Sequence, residues 1–107
     1  MKAIRDEDRT TIVLEGDLTS ANLNDFRGIT QFEIDRGGKL FCIDFAETEI
    51  IDSMGVGCLV ATYNSIRHKE GTLKLINVPE HLHEILRIMH LDHIFTVAQE
   101  ESGKENS

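Results

Sequence analysis

The chain alternates between two patterns of hydrophobic and polar positions, one typical of strands and one typical of helices. Short runs of apolar or β-branched residues predict strands, bounded by polar or glycine-containing segments. The first two strands are separated by a polar turn at residues 6–8 and are expected to pair as a hairpin at the sheet edge. A last apolar run at 94–97 fits either an edge strand or the start of a helix. The other predicted strands cover residues 1–4, 10–15, 40–45 and 72–78.

Apolar residues three and four positions apart predict three amphipathic helices between the strands. The first is expected to be capped by Thr19 or Ser20 and to end at Gly37-Gly38. The second covers residues 56–68, and the third has Pro79 at its first helical position. The residues expected to face the core are Leu23, Phe26, Ile29 and Ile34, then Val56, Leu59, Val60 and Tyr63, then Leu82, Ile85, Leu86 and Met89.

Strands that alternate with helices imply right-handed crossovers and a mostly parallel sheet. A chain of 107 residues is long enough for one core. We therefore predict an α/β fold, with a single domain over residues 1–98. It has a mainly parallel, mixed β-sheet of four to five strands with α-helices packed on it. Apart from Gly103, residues 99–107 are charged, amide or hydroxyl residues, and a disordered polar tail is expected there.

Composition and charge exclude several classes of protein. The chain has 19 acidic and 11 basic residues and a net charge of −8, which argues against nucleic-acid partners and anionic membrane surfaces. This charge fits docking onto a basic patch of another protein, although solubility alone would explain most of it. No apolar run approaches the roughly 20 residues of a transmembrane helix, so no membrane insertion is expected. The N-terminus turns acidic at once, unlike a signal peptide. We expect a cytoplasmic protein whose Cys42 and Cys58 are buried, reduced thiols.

The segment Ile50-Ile51-Asp52-Ser53-Met54-Gly55-Val56-Gly57 joins the central apolar strand to the second helix. Asp52 and Ser53 stand where a helix N-cap is expected, and the two glycines would let another backbone or a partner approach. The serine hydroxyl lies at the positive end of a helix dipole, which tolerates a phosphate. A plain capping role for Ser53, contributing about 1 kcal/mol, is the competing interpretation. Asp17 ends the second strand and could lie at the same sheet edge, where α/β proteins bind ligands.

The sequence does not favour an enzyme, and we predict no catalytic residue. A serine nucleophile elbow needs a glycine two positions before the serine, where Ile51 stands, and no histidine has a defined relation to Ser53. Gly55-Val56-Gly57 lacks the third glycine of a dinucleotide fingerprint, so nucleotide binding is only weakly indicated. His81 and His83 would point about 200° apart on a helix. We interpret the five histidines as solvated surface residues and predict no metal and no cofactor.

Four segments of the chain carry a family resemblance: Gly16-Asp17-Leu18, Ile43-Asp44-Phe45, Asp52-Ser53-Met54-Gly55-Val56-Gly57 and Leu91-Asp92-His93-Ile94-Phe95. They resemble the STAS family of bacterial anti-sigma-factor antagonists, and the resemblance extends over residues 11–97. They match the turn after the second strand, the end of the central strand, the phosphorylation loop and the segment after the third helix. Met54 departs from the family, where Ser or Thr is common, and His90 stands where a helix-ending glycine is common. Histidine enters the left-handed region more readily than bulky residues do, so the turn is expected to survive.

The resemblance implies that Ser53 is the phosphoacceptor of a partner-switching system. The unphosphorylated protein would bind a serine kinase of the GHKL ATPase type, which is often an anti-sigma factor. Phosphorylation would release the kinase by local repulsion rather than by refolding, and a PP2C-type phosphatase would reset the system. The expected partner-binding residues are Asp17, Thr19, Asp52, Ser53, Met54, Gly55 and Val56, with Met54 and Val56 on an exposed rim.

Two other functions fit the same residues. A constitutive scaffold or transport-associated STAS subunit would use Ser53 only as a helix cap. A small-molecule or nucleotide binder would hold its ligand at the same helix end. Replacement of Ser53 by Ala and by Asp separates the switch from the scaffold, and ligand-induced thermal stabilisation would favour the nucleotide binder.

Overall fold

The computed structural model describes residues 1–97, which contain five strands and three helices. The predicted tail at 99–107 lies outside the described residues. The strands are β1 (Lys2–Asp6), β2 (Arg9–Val13), β3 (Leu40–Asp44), β4 (Thr72–Ile76) and β5 (Thr96–Val97), and the helices are α1 (Leu23–Asp35), α2 (Ser53–His68) and α3 (Glu80–Ile88).

The five strands form one sheet, in which their order is the same as their order in the chain. β1 and β2 pair antiparallel as the predicted edge hairpin, and every later pair is parallel. Ile12 on β2, Ile43 on β3 and Leu75 on β4 lie side by side across the sheet. The predicted α/β fold with a mainly parallel, mixed sheet is therefore confirmed, and the apolar run at 94–97 ends in an edge strand.

The three helices lie on one face of the sheet. Because successive parallel strands are added in one direction, right-handed crossovers place every intervening helix on the same side. The fully buried Phe26, Leu59 and Leu75 belong to one hydrophobic cluster with residues of α3. Cys42 and Ile76 alternate with the core-facing strand residues; they are buried but lie outside that cluster. The core is thus built between the helices and a single face of the sheet.

The starts of α1 and α3 differ from the predictions, and α2 begins at Ser53, three residues before the predicted range 56–68. α1 begins at Leu23 with Asn22 at the cap position, rather than after Thr19 or Ser20. The reason is a turn, in which the Asn22 N–H donates to the Thr19 carbonyl oxygen at 3.0 Å and delays the helix. Pro79 occupies the cap position of α3 with a ψ of 152°, so Glu80 is the first helical residue. Asn22 and Pro79 are thus the residues that directly precede the two helices.

Two helix ends follow the predictions closely. Gly37 has a φ of +97°, and the Gly38 N–H donates to the Glu33 carbonyl oxygen at 3.1 Å, which closes α1. His90 has a φ of +62°, so histidine does adopt the left-handed conformation expected where the family has glycine. The Leu91 N–H then donates to the Leu86 carbonyl oxygen at 2.8 Å and completes the turn after α3.

The predicted core-facing residues are buried unevenly. In α3, Leu82 and Leu86 are buried, whereas Ile85 and Met89 are 37% and 47% exposed, so half of that stripe was wrongly assigned to the core. α3 lies near the two-residue edge strand β5, and the described residues do not cover its outer flank. Four other residues that were predicted to face the core are partly buried and pack against it. They are Leu23 and Ile29 in α1 and Val60 and Tyr63 in α2.

Both cysteines are buried and neither forms a disulfide, in agreement with the prediction. Burial raises the pKa of the Cys58 thiol above its ordinary value. Between residues 1 and 97, none of the helices is both long enough and apolar enough to cross a bilayer.

Candidate functional site

Two loops meet at the carboxyl ends of β2 and β3. Leu18 in the β2–α1 loop and Ile51 in the β3–α2 loop form an isolated parallel bridge. The Leu18 N–H donates to the Ile50 carbonyl oxygen at 3.0 Å, and the Asp52 N–H donates to the Leu18 carbonyl oxygen at 3.3 Å. The buried Thr48 hydroxyl donates to the Gly16 carbonyl oxygen at 2.6 Å. The loop that leads to Ser53 is therefore held by the backbone of the preceding loop.

Asp17 fixes the middle of the β3–α2 loop. One of its carboxylate oxygens accepts hydrogen bonds from the backbone N–H groups of Glu49 and Ile50, both at 2.9 Å. These bonds, with that from Ile50 contributing most, hold the pKa of Asp17 below its ordinary value. Asp17 thus lies at the same edge as Ser53, where it positions the loop through its side chain.

Asp52 is the N-cap of α2. Its Oδ1 accepts from the Gly55 N–H at 2.8 Å, and its Oδ2 accepts from the Ser20 N–H at 3.1 Å. One carboxylate therefore caps α2 and also ties its first turn to the β2–α1 loop. The Gly55 bond first, and the Ser20 bond second, lower the pKa of Asp52.

Ser53 is the first helical residue and not the cap. Its side chain is exposed, and its hydroxyl has no hydrogen-bond partner among residues 1–97. The interpretation of Ser53 as a capping serine is therefore wrong, because Asp52 supplies the capping oxygen. The sequence could not decide between these adjacent residues, since both side chains are good N-caps.

The glycines and apolar residues after Ser53 have different environments. Gly55 is buried, and a Cβ at this position would collide with the Leu18 carbonyl oxygen and lie 2.9 Å from Cγ1 of Ile51. Glycine is therefore required for close approach of another backbone, one of the two reasons predicted for it. Met54 is 57% exposed but Val56 only 6%, so the exposed rim predicted for both residues is correct only for Met54.

Four contacts of the site were missed by sequence reasoning. The Asn22 side chain donates to the Asp17 carbonyl oxygen at 2.6 Å and accepts from the Thr19 N–H at 3.0 Å. The Thr19 hydroxyl accepts from the Ala21 N–H at 3.2 Å, so Thr19 is a half-buried turn residue. Nε2 of His81, at the start of α3, lies 2.7 Å from the Glu49 carbonyl oxygen. This contact joins residues 32 positions apart, for which the sequence has no local signal.

The surface around Ser53 is acidic and apolar. Ile50 and Met54 are 56% and 57% exposed, and Glu49 and Asp52 add negative charge beside them. Within residues 1–97 the side chains that commonly bind metals form no cluster of three or more. The arrangement suits contact with another macromolecule through an exposed serine.

Together, the fold and the site define a small α/β domain that presents one serine at the start of a helix, on a surface held by paired loops. The chain belongs to the STAS domain family, since the family model described as "Mlab, STAS domain" matches residues 2–97.

One curated relative and one solved structure are similar to the chain over most of its length. BtrV of Bordetella bronchiseptica, a candidate anti-sigma factor antagonist, is 26% identical over 85 residues, or 79% of this chain and 73% of BtrV. TM1081 of Thermotoga maritima, also a candidate antagonist, superposes with a TM-score of 0.85 at 21% identity, over 91% of this chain and 84% of that one.

Two further structures share the fold at lower identity. The phosphorylated Bacillus protein SpoIIAA has a TM-score of 0.72 at 18% identity, over 91% of this chain and 89% of that one. A sulfate transporter family protein from Wolinella succinogenes has a TM-score of 0.80 at 16% identity, over 91% and 81%. At these identities the structures show a common fold, which serves both regulators and transporters.

Proposed function

We propose that this protein is a partner-switching regulator of the anti-sigma factor antagonist type, in which Ser53 is the phosphoacceptor. Its unphosphorylated form binds a GHKL-type serine kinase that acts as an anti-sigma factor. Phosphorylation of Ser53 releases that partner, and a PP2C-type phosphatase restores the binding form. The domain is then a substrate and a switch, not an enzyme.

This proposal rests on the different roles of Asp52, which caps α2, and Ser53, which does not. Asp52 satisfies the Gly55 N–H at the start of α2, which leaves the exposed Ser53 hydroxyl without a structural partner in the described chain. A hydroxyl so placed can enter a kinase active site without loss of the helix cap. The relatives named as antagonists support the same assignment.

The geometry also supports a mechanism without refolding. A phosphate on Ser53 adds about 1.5–2 negative charges at a helix N-terminus, where the dipole tolerates them. The new charge follows Asp52 directly, in a segment that also carries the exposed side chains of Ile50 and Met54. We propose that these apolar side chains, with Asp17 and Thr19 holding the adjoining loop, form the surface that the partner contacts. Charge and bulk in the middle of that surface weaken binding directly.

The first test is the intact mass of the protein purified from its own cells, as wild type and as Ser53→Ala. We expect one phosphate in the wild type and none in the variant. A wild type without phosphate under several growth conditions would contradict the switch and favour a constitutive or transport-associated STAS subunit.

The second test compares how much of the partner kinase is recovered with each of three variants, Ser53→Ala, Ser53→Asp and Asn64→Asp. Asn64 is exposed on the same helix, eleven residues beyond Ser53, so its substitution adds the same charge away from the site. A switch predicts that Ser53→Asp loses a GHKL-type kinase which the other two variants retain. Equal recovery by all three would refute release by charge. Thermal stabilisation by ATP or GTP that is lost in Ser53→Asp would instead indicate a nucleotide site.

A further inference from the structure

The outer face of α1 carries an exposed aromatic stripe. Phe32 is 58% exposed, the largest exposed fraction among the aromatic residues of the described chain. Asp25, Gly28, Ile29 and Arg36 fall on the same side of the helix as Phe32, within an arc of about 100°. We call these five residues the α1 stripe. None of them belongs to the two loops that surround Ser53.

A shallow groove opens beside the aromatic ring. It has a volume of about 360 Å³ and is lined by residues of α1 together with Ala3 of β1. Gly28 leaves space in it, since a Cβ added there would meet no described atom within 4 Å. The groove thus accepts a side chain from outside, at a site one helical turn from Phe32. Its lining residues are Ala3, Gly28, Ile29, Phe32 and Glu33.

The α1 stripe is complementary to itself. Its acidic residue, Asp25, is in the first turn, its basic residue, Arg36, is just past the last turn, and Phe32 and Gly28 lie between them. A two-fold axis crossing the helix between residues 30 and 31 places two copies antiparallel. Asp25 then faces Arg36 of the second copy, and Phe32 faces Ile29, which lines the groove beside Gly28. Both contacts occur twice because the axis repeats them.

We propose that two copies of this protein associate through the α1 stripe, each inserting Phe32 beside Gly28 of the other. The charge pattern favours a second copy as the partner. The stripe is negative at its start and positive at its end, so two antiparallel copies place opposite charges next to each other. A helix of 13 residues is about 20 Å long, so the contact is smaller than a standard interface. We therefore expect a weak dimer, with a dissociation constant between about 10 µM and about 1 mM. The Ser53 loop stays open in this dimer.

Sedimentation equilibrium up to about 1 mM protein tests the association, a range set by the expected weak affinity. We expect the wild type to dimerise reversibly and Phe32→Glu to dissociate at least tenfold more readily, roughly the cost of a charge in an apolar contact. The matched control is Ile88→Glu, which adds the same charge at an apolar residue of α3 that is 68% exposed. A monomeric wild type, or a dimer broken by Ile88→Glu and not by Phe32→Glu, overturns the proposal.

A charge-swap experiment tests the two-fold arrangement itself. Asp25→Lys places two cations opposite each other in the dimer, and Arg36→Glu places two anions opposite each other, so each variant alone should dimerise roughly tenfold more weakly. Mixed in equal amounts, they form a heterodimer in which both pairs are of opposite charge. Recovery of wild-type affinity in the mixture supports the antiparallel pairing; two misfolded variants would not recover it. No recovery contradicts the axis.

This dimer is independent of the proposed phosphoswitch. Ser53→Ala and Ser53→Asp are expected to dimerise as the wild type does, because Ser53 is absent from the α1 stripe. Failure of the switch therefore leaves the sedimentation result unchanged, and a monomeric protein leaves the phosphorylation result unchanged.

Discussion

α1 and α2 pack beside each other on one face of the sheet, but their amino-terminal turns are built differently. α2 starts with a carboxylate that accepts two backbone N–H groups, followed by a glycine pressed against the neighbouring loop. α1 starts without a side-chain capping bond, and its glycine faces open space beside an exposed phenylalanine. The difference shows that α2 is held firmly at its start, whereas α1 offers a free outer surface.

The largest expected effect is at the glycine of the tightly held helix. Gly55→Ala should lower the free energy of unfolding by about 3 kcal/mol, because its Cβ collides with backbone that cannot move aside. The control is Gly57→Ala, two residues along, where a Cβ meets no described atom within 4 Å. That variant should gain up to about 1 kcal/mol from helix propensity. Urea unfolding measures the free energy of unfolding of both variants. Equal values for Gly55→Ala and Gly57→Ala would contradict the close contact between Gly55 and Leu18.

A second prediction concerns acid stability at the Ser53 site. The folded-state pKa of Asp17 is lowered below its ordinary value of 3.8, so its charge stabilises the protein above that pH. The contribution is lost as the pH falls through the folded pKa. Asp17→Asn keeps one acceptor oxygen but cannot titrate. The wild type should therefore be more stable than the variant above about pH 5, and this advantage should shrink below pH 3.8.

Denaturant unfolding at several pH values measures this difference directly. Replacement of a carboxylate on the outer face of α1, Asp35→Asn, serves as the comparison, because among residues 1–97 the Asp35 carboxylate bonds only to the exposed Gln31 side chain. A stability advantage of the wild type over Asp17→Asn that is the same at pH 3 and pH 7 would mean that the charge of Asp17 does not hold the loop.

Replacement of glycine by alanine in α1 should change the free energy of unfolding in the opposite direction to Gly55→Ala. Gly28→Ala is expected to raise the free energy of unfolding by up to about 1 kcal/mol, since alanine is the better helix former and the space is open. The measurement requires dilute protein, where the proposed dimer is dissociated. A loss of stability would show that the outer face of α1 is more closely packed than its contacts indicate.

The smallest effect on stability is expected at Ser53. Ser53→Ala should change the free energy of unfolding by less than about 0.5 kcal/mol, because an exposed residue outside the cap contributes little. A capping serine would cost about 1 kcal/mol on the same substitution. Thermal unfolding of the two proteins side by side decides between these values. Any functional loss in the variant can then be assigned to the hydroxyl itself.

Hydrophobic periodicity was sufficient to predict the architecture. The apolar run at 40–45 and the stripe in α2 each identify an element without ambiguity, and their alternation implies the parallel sheet. The stripe of α3 was less informative, because periodicity shows which residues could face a core but not where the sheet ends. Ile85 and Met89 therefore remained exposed against expectation.

The sequence predicted where the site lies but not which of its residues caps the helix. The sequence placed Ser53 at the start of a helix after the central strand, which is where it lies. It could not assign the cap, because the choice of Asp52 depends on the Ser20 N–H, 32 residues earlier. The wrong start of α1 has a local cause, a turn held by Asn22 that precedes the helix.

The matching order of strands in the chain and in the sheet has a consequence for biosynthesis. A chain that leaves the ribosome amino-terminus first can add each new strand to an edge that already exists, without waiting for a later segment to be inserted. The Leu18–Ile51 bridge needs only the first half of the chain, and α2 follows immediately. The loop that carries Ser53 would therefore be assembled while α3 and β5 are still being translated, and the last segments would complete a nascent domain in which the surface around Ser53 is already formed.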